Sequence, residues 1–271
     1  MKVGYCVQIL PQLASYRLRV QIPSEYLGLD YAIGCTGRPT FFYKNGNVRL
    51  AEALGSGIVY DVVNDHFRGK NAADYHGMCG IADKITVASQ VMAEIVMHHT
   101  GRESTVIDDP YENAELPAQC YGEGVLWFGH SANVSSLIPY IDKVRVTSGP
   151  SLIVCSNIAK ASVPWSRENE DKCLQGCAVV LLTSSNPGAS CNRVVKALRA
   201  GRFVVAPEDC PESWGILAPF IHIGDVSEGI RWALNNREEA CSKITQGQKY
   251  VAQMFSPQLI GSQWAALFGS I

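Results

Sequence analysis

The sequence lacks any apolar run that approaches the roughly 20 residues needed to cross a membrane as a helix. Its first apolar run, 3–10, is too short for a secretory signal, and no small-residue cleavage pattern follows it. In such a chain, ten cysteines suggest reduced thiols and not a disulfide framework. We therefore expect a cytoplasmic protein without a transmembrane segment.

An excess of charge of either sign is also missing. The 23 basic and 25 acidic residues give a net charge of −2. This balance provides no long-range attraction for nucleic acid or for an anionic membrane. Nucleic acid is therefore not indicated as a partner, although a local basic groove is compatible with the balance.

Two common cofactor motifs are absent. No Gly-x-Gly-x-x-Gly follows a predicted strand, which argues against a dehydrogenase. Cys173 and Cys177 are the closest cysteine pair, and no second pair stands near them, so we expect no metal site of the structural zinc type. The 271 residues contain no low-complexity tract and suffice for two domains of ordinary size.

The chain is organised around one strand, loop, helix and strand unit. The apolar run 178–183 predicts a buried parallel strand, and turn-forming residues fill the loop 184–190. A helix over 192–200 should end at Gly201, and 203–206 predicts the next strand. This is a βαβ crossover of a doubly wound α/β sheet.

A loop that enters a helix at this edge of a sheet can bind phosphate through free backbone N–H groups and the helix dipole. The candidate phosphate ligands are Gly188, Ser190, Asn192, Arg193 and Lys196. Most such loops in α/β proteins bind nothing, and the local chemistry leaves both interpretations open.

Two arginines stand out near the start of the chain. We expect a strand at 2–10, then a loop over 11–23 that leads into a helix through Tyr26. Arg17 and Arg19 in a loop suit an anion, because guanidinium binds phosphate or carboxylate in bidentate fashion. Alternatively, they are surface charges or partners of nearby acids.

A buried strand over 58–64 delivers Asp65 and His66 to its carboxyl end, where α/β sites are built. Both side chains are chemically competent as a general base. Alternatively, Asp65 caps the following loop and His66 is a satisfied, half-buried side chain.

Periodicity predicts most of the other elements. Further strands are expected at 31–35, 40–44, 84–88, 125–128, 152–155 and 220–223, and further helices at 48–54, 74–82, 90–99, 226–235, 238–255 and 257–268.

The strand 125–128 ends in a glycine and a small polar turn before a helix. This pattern permits close backbone approach to a diphosphate, so Gly129, His130 and Asn133 are candidate ligands. His130 is alternatively a turn histidine that binds its own backbone. Trp165 is a candidate for stacking on a base, and Glu208 for holding a ribose, although a core tryptophan and a solvated carboxylate are the simpler interpretations.

Several of these segments resemble GT-B glycosyltransferases of the group 1 type. The stretch 192–206 resembles the family's donor-site pattern N-(K/R)-x-x-E-A-x-x-x-G-x-P-V-V, and 127–133 resembles the start of its carboxyl-terminal domain. The stretches 14–23, 59–67 and 106–112 resemble amino-terminal segments of the family. Lys196 and Gly188 occupy the places of the two glutamates of the Glu-x7-Glu motif, and Phe203 replaces the common proline.

This resemblance implies a short GT-B variant with two Rossmann-like domains and an interdomain cleft: an acceptor domain over 1–118 and a nucleotide-sugar domain over 119–271. It implies metal-independent transfer of a sugar from a nucleotide-sugar to a glycan, lipid or small molecule, with no cofactor besides that co-substrate. The alternatives are a catalytically degenerate sugar-nucleotide or glycan-binding protein, or a transferase that acts on a modified nucleic-acid base. The donor, acceptor, stereochemistry and oligomeric state stay open.

Overall fold

The computed structural model describes residues 4–6, 13–28, 39–44, 46–122, 124–147, 151–184 and 186–271. The predicted strand at 31–35, and the parts of the predicted strand 2–10 on either side of 4–6, lie outside these residues. The chain forms two compact units: Met1–Glu112 with Gly188–Ser190 and Phe255–Ile271, and Asn113–Pro187 with Cys191–Met254. The predicted domain boundary and the interdomain cleft stay predictions.

The strands form two sheets in which every pairing is parallel. The first sheet has the order β1-β2-β3-β4-β5, with β1 at Gly4–Cys6, β2 at Thr40–Tyr43, β3 at Ile58–Val62, β4 at Lys84–Val87 and β5 at Thr105–Val106. The second has the order β11-β10-β9-β6-β7-β8, with β6 at Val125–Phe128, β7 at Leu152–Ser156, β8 at Val163–Pro164, β9 at Val179–Leu181, β10 at Phe203–Ala206 and β11 at His222–Ile223.

The α-helices are α1 (Ala14–Tyr16), α2 (Ile22–Leu27), α3 (Val48–Leu54), α4 (Ala72–Ile81), α5 (Gln90–Thr100), α6 (Val134–Leu137), α7 (Ile141–Val146), α8 (Arg167–Gly176), α9 (Asn192–Arg199), α10 (Val226–Asn235), α11 (Arg237–Met254) and α12 (Pro257–Gly269). A π-helical turn at Arg17–Gln21 joins α1 to α2, and 3-10 turns lie at Ser131–Asn133, Ile138–Tyr140 and Glu212–Phe220. Among the described residues, no helix combines the length and apolar character of a membrane span.

Alternate residues of the first sheet enter different cores. Phe42 and Tyr60 pack into a cluster with residues of α3, α4 and α5, whereas Phe41 and Val59 pack into another with Trp264 of α12. Successive strand side chains point to opposite faces, so both faces of this sheet are covered. This explains why β2 and β3 are continuous apolar runs without polar alternation.

The predicted loop over 11–23 is wrong, because the described residues from Ala14 to Leu27 are helical. Proline has no N–H and its ring clashes with the carbonyl four residues back, so Pro23 disfavours the interior of an ordinary α-helix. The wider π turn before it, closed by the Ile22 N–H on the Arg17 carbonyl, is a form that accommodates this proline inside a continuous helical segment.

Candidate functional site

The order of the strands in the second sheet reverses between β6 and β9. Its order, counted within the unit, is 3-2-1-4-5-6, the Rossmann order, in which ligands lie beyond the carboxyl ends of the strands where the order reverses. Gly129 follows β6, and Thr183 stands two residues after the end of β9. These residues therefore mark the edge where a ligand is expected.

Arg193, in the first turn of α9, spans this switch point. Its Nη1 donates to the Phe128 carbonyl at 3.2 Å and its Nη2 donates to the Thr183 carbonyl at 2.8 Å. The guanidinium carbon also lies 5.6 Å from the ring centre of Trp214. The side chain is thus held by the ends of two neighbouring strands and by an aromatic face.

The charge of Arg193 is not neutralised within the described part of the chain, where its hydrogen-bond partners are neutral carbonyls. Burial lowers its pKa to about 10, so the guanidinium is still protonated at neutral pH. Lys196 and Arg199 of the same helix differ, since they pair with Glu170 at 2.5 Å and with Glu115 at 3.0 Å. Arg193 therefore presents a partly buried positive charge with unused N–H groups.

Gly129 lies directly beside this guanidinium. A methyl group built on Gly129 would lie 3.2 Å from Arg193 Nη1 and 3.1 Å from the ring of Trp127. Both approaches are tight, and the backbone here is close to the cation because this residue has no side chain.

The turn after Gly129 is held by hydrogen bonds among its own residues and by one from the Ser131 N–H to Asn157 Oδ1 at 2.7 Å. His130 is exposed, and its Nδ1 accepts the Ala132 N–H at 3.2 Å, which places the ring proton on Nε2. The Asn133 N–H donates to the His130 carbonyl at 2.9 Å. The structure brings Gly129, His130 and Asn133 to the edge where Arg193 lies, and their roles as ligands stay predictions.

Helix α9 begins with Cys191 at the N-cap position, whose side chain makes no capping hydrogen bond, and Asn192 is the first helical residue. The preceding residues group with the first unit. The Gly188 carbonyl accepts from Ser89 Oγ at 3.2 Å, and Ser190 Oγ donates to Asp109 at 2.6 Å. Their part in phosphate binding stays a prediction.

Lys196 and Trp165 meet the same carboxylate. Lys196 Nζ lies 2.5 Å from Glu170 Oε1, and the Trp165 indole N–H donates to Glu170 Oε2 at 2.6 Å. Glu170 is almost fully buried, whereas Trp165 is half-buried. The lysine at the place of the family's second glutamate thus forms an ion pair within the unit.

Glu208 follows β10 and is exposed. Its neighbour Asp209 accepts the Tyr140 hydroxyl at 2.9 Å. This acidic turn lies at the carboxyl end of β10, next to β9 in the sheet, and a contact with a ribose stays a prediction.

In the first unit, the two arginines singled out in the sequence have carboxylate partners. Arg17 Nε and Nη2 donate to Glu112 at 2.6 and 2.8 Å. Arg19 Nε and Nη2 donate to Asp61 at 3.0 and 2.5 Å, and Arg19 also donates to the Ile107 carbonyl. Both side chains are buried. Their geometry matches the alternative stated above, partners of nearby acids.

Asp65 and His66 lie after β3, as expected from the sequence. Asp65 Oδ1 accepts the Phe67 N–H at 3.2 Å, which caps the loop. The His66 ring stands edge-on to Tyr75, with ring centres 5.4 Å apart. Both side chains are half-buried, and a general-base role for either stays a prediction.

Sequence reasoning did not single out Thr183 or Trp214. Thr183 Oγ1 accepts the Trp127 indole N–H at 3.0 Å and lies 2.8 Å from Ser136 Oγ. The interaction of Thr183 with Arg193 uses a backbone carbonyl, which no residue pattern reveals. Trp214 lies in a 3-10 turn whose packing against α9 is a tertiary contact.

No protein-family model matches the chain, and no curated protein matches it. Solved structures do. Anabaena HepE in complex with UDP and glucose aligns with a TM-score of 0.73 and 14% identity, over 100% of both chains. AviGT4, a glycosyltransferase involved in avilamycin A biosynthesis, aligns with a TM-score of 0.59 and 11% identity, over 98% of this chain and 96% of that chain.

TarM of S. aureus aligns with a TM-score of 0.65 and 11% identity. This alignment covers 84% of the present chain but only 54% of the TarM chain. The chain has a GT-B-like glycosyltransferase fold, which confirms the resemblance drawn from the sequence. At these identities the likeness concerns the fold alone.

Proposed function

We propose that the protein is a glycosyltransferase that takes a sugar from a nucleotide-sugar donor, and that the donor diphosphate binds at the carboxyl edge of the second sheet, beside Arg193. The acceptor is a glycan, a lipid or a small molecule. The fold supports this proposal, since structures with the same fold include complexes of HepE with UDP and with UDP-glucose.

One observation carries the proposal: the guanidinium of Arg193 is oriented at the switch point and has no carboxylate partner among the described residues. An unneutralised, partly buried cation is costly unless an anion binds to it. A diphosphate has the charge and the oxygens to accept the unused N–H groups of Arg193. The N-terminus of α9 adds the positive end of a helix dipole.

In the proposed mechanism, Arg193 stabilises the negative charge that develops on the departing diphosphate. The carbonyls of Phe128 and Thr183 hold the guanidinium in place before the substrate arrives, so little reorganisation is needed during the reaction. Because Gly129 has no side chain, the diphosphate of the donor can approach the protein backbone closely there. Because Arg193 supplies positive charge, the reaction is proposed not to require a metal ion. Asp65 or His66 is proposed as the base for the acceptor hydroxyl.

Lys196 is proposed to contribute less to diphosphate binding than Arg193 does. Its ammonium is neutralised by Glu170 at 2.5 Å and approached by Asp171 at 3.5 Å. It therefore adds less net charge to a diphosphate site than Arg193 does.

The test begins with binding. UDP, GDP, ADP, CMP and dTDP and their sugar conjugates are added to the protein, once with EDTA and once with Mg²⁺ in its place, and unfolding is followed by thermal shift. A ligand at about 100 times its Kd adds roughly 2.7 kcal/mol to stability. We expect one base to give a selective shift, and nucleotide release to follow when a suitable acceptor is supplied.

The outcomes separate the alternatives. A flat panel contradicts the donor site. A shift that disappears in EDTA contradicts metal independence. Selective nucleotide-sugar binding without transfer to glycan, lipid or small-molecule acceptors favours the degenerate binding protein, and salt-sensitive binding of DNA favours a nucleic-acid acceptor.

A further inference from the structure

A cavity of about 250 Å³ opens in the second unit near the first residues of β10 and β11, at the opposite end of these strands from the carboxyl edge. Nothing in the proposed reaction uses it. Its lining combines aromatic, acidic and basic side chains: Phe203, Ile221, His222, Glu228, Trp232, Glu239 and Lys243.

The wall of the cavity is aromatic. The rings of Phe203 and Trp232 are 5.3 Å apart between centres, and Trp232 is only half-buried. Lys243 Nζ lies 5.9 Å from the Trp232 ring centre and donates to the Pro219 carbonyl at 3.3 Å. An indole and an ammonium group are thus both oriented at this cavity.

The rim carries carboxylates that the fold does not use. Glu228 and Glu239 are exposed, and neither carboxylate has an ion-pair or hydrogen-bond partner within the described ranges. Lys243 likewise forms no ion pair with any described residue. Glu170 and Glu115, by contrast, pair with cations in the same unit.

This combination of groups selects the ligand. Two free carboxylates disfavour an anion, and the ammonium of Lys243 over Trp232 already occupies the place of a cation. A neutral polyhydroxylated ring meets all the groups, since its hydroxyls donate to carboxylates and accept from ammonium while its C–H face covers an indole. The volume is below the roughly 300–1,000 Å³ of drug-sized pockets and suits one ring better than a nucleotide.

We propose that this cavity is a saccharide-binding site that holds one neutral sugar unit of a glycan, separate from the nucleotide site. The sugar ring packs against the exposed part of Trp232, beside Lys243, and its hydroxyls bind Glu228, Glu239 and Lys243. The proposal goes beyond the proposed transfer reaction and does not rest on it, because sugar binding is measured without any nucleotide.

The experiment measures binding of methyl glucoside, methyl galactoside, methyl mannoside and N-acetylglucosamine by saturation-transfer NMR, with dissociation constants from titration. Wild type should bind at least one of these sugars. Glu239→Gln and Lys243→Met should each weaken that binding about tenfold or more, because each removes a hydrogen bond that involves a charged group. Glu238→Gln and Lys249→Met are matched controls on exposed positions of α11 and should bind as wild type.

Arg193→Ala separates the two sites. Sugar binding that persists in this variant and is not displaced by UDP supports a separate cavity. Loss of sugar binding in Arg193→Ala places the sugar at the nucleotide site and overturns the proposal. So does equal binding in wild type, Glu239→Gln and Lys243→Met, as does a panel in which none of the four sugars binds.

Discussion

Arg19 and Asp61 form a buried, bidentate ion pair between the π turn Arg17–Gln21 and β3, with Nε to Oδ2 at 3.0 Å and Nη2 to Oδ1 at 2.5 Å. Thr86 Oγ1 of β4 donates to the same carboxylate at 2.7 Å. Desolvation by burial lowers the pKa of Arg19, but the carboxylates of Asp61, Asp109 and Asp108 together outweigh it and the pKa is raised. The pair therefore connects the first helical segment to the centre of the sheet.

Breaking this pair from one side should destabilise the protein strongly. Asp61→Asn leaves the buried Arg19 guanidinium without its bidentate partner and with Asp109, 3.5 Å away, as its nearest carboxylate. We expect a loss of roughly 3–5 kcal/mol in the free energy of unfolding. Urea denaturation measures it. Asp142→Asn is the control, since Asp142 forms an exposed pair with Arg145 and should cost less than about 1 kcal/mol. Equal denaturation midpoints for the two variants would show that the buried pair stabilises the protein no more than the exposed pair does.

Arg193→Ala should weaken binding of the nucleoside diphosphate that the panel identifies by about ten- to a hundredfold. This range corresponds to the roughly 1.5–3 kcal/mol that hydrogen bonds to a charged group contribute. Titration calorimetry gives the affinities. Arg145→Ala removes the same charge from an exposed position of the second unit and should leave the affinity unchanged. If the folded Arg193→Ala protein binds as wild type does, Arg193 is not a diphosphate ligand.

Gly129→Ala should reduce nucleotide affinity while leaving the fold intact. The added methyl would lie 3.2 Å from Arg193 Nη1 and 3.1 Å from Trp127, so the guanidinium has to shift by a few tenths of an ångström. Gly176→Ala is the control, because a methyl there meets no atom within 4 Å. We expect a several-fold rise in Kd for the first variant only. An unchanged Kd in Gly129→Ala would mean that the close approach has no part in binding.

The raised pKa of Asp108 predicts that the stability of the protein depends on pH. Burial, and secondarily the charge of Asp109, raises the pKa of Asp108 to about 6. The folded state then holds a proton that the unfolded state releases near pH 4, so Asp108 favours folding below pH 4 and loses that contribution as pH rises through about 6. Asp108→Asn should therefore raise the unfolding free energy at pH 7–8, by on the order of 1–3 kcal/mol, and little at pH 4. Denaturation at both pH values checks this, and an equal effect at both would exclude the titration as its cause.

Much of the second unit could be predicted from local sequence. The strands Val125–Phe128 and Phe203–Ala206 and the helix Val226–Asn235 lie where the apolar patterns indicate. Gly201 ends α9 with a positive φ of 73°, as a helix-stop glycine does. Such signals are short-range, since periodicity and φ preference act within a few residues.

The prediction failed where tertiary packing, and not the local sequence, determined the structure. We expected a loop before Pro23, yet Tyr16 and Val20 share a buried cluster with Trp264 of α12 and belong to a continuous helical segment. A hydrophobic contact with a residue more than 240 positions later cannot be foreseen from the segment itself.

The amino-acid sequence by itself determined most of the described strands and helices. It placed Gly129 after the strand Val125–Phe128 and Arg193 in the helix that follows Val179–Leu181, at the edge where parallel sheets bind ligands. Only the tertiary structure decided which charges are neutralised. Arg17, Arg19 and Lys196 meet Glu112, Asp61 and Glu170, whereas Arg193 meets the carbonyls of Phe128 and Thr183. The physical reason is that an ion pair depends on distance in space, and a chain with 23 basic and 25 acidic residues permits far more pairings than the fold allows.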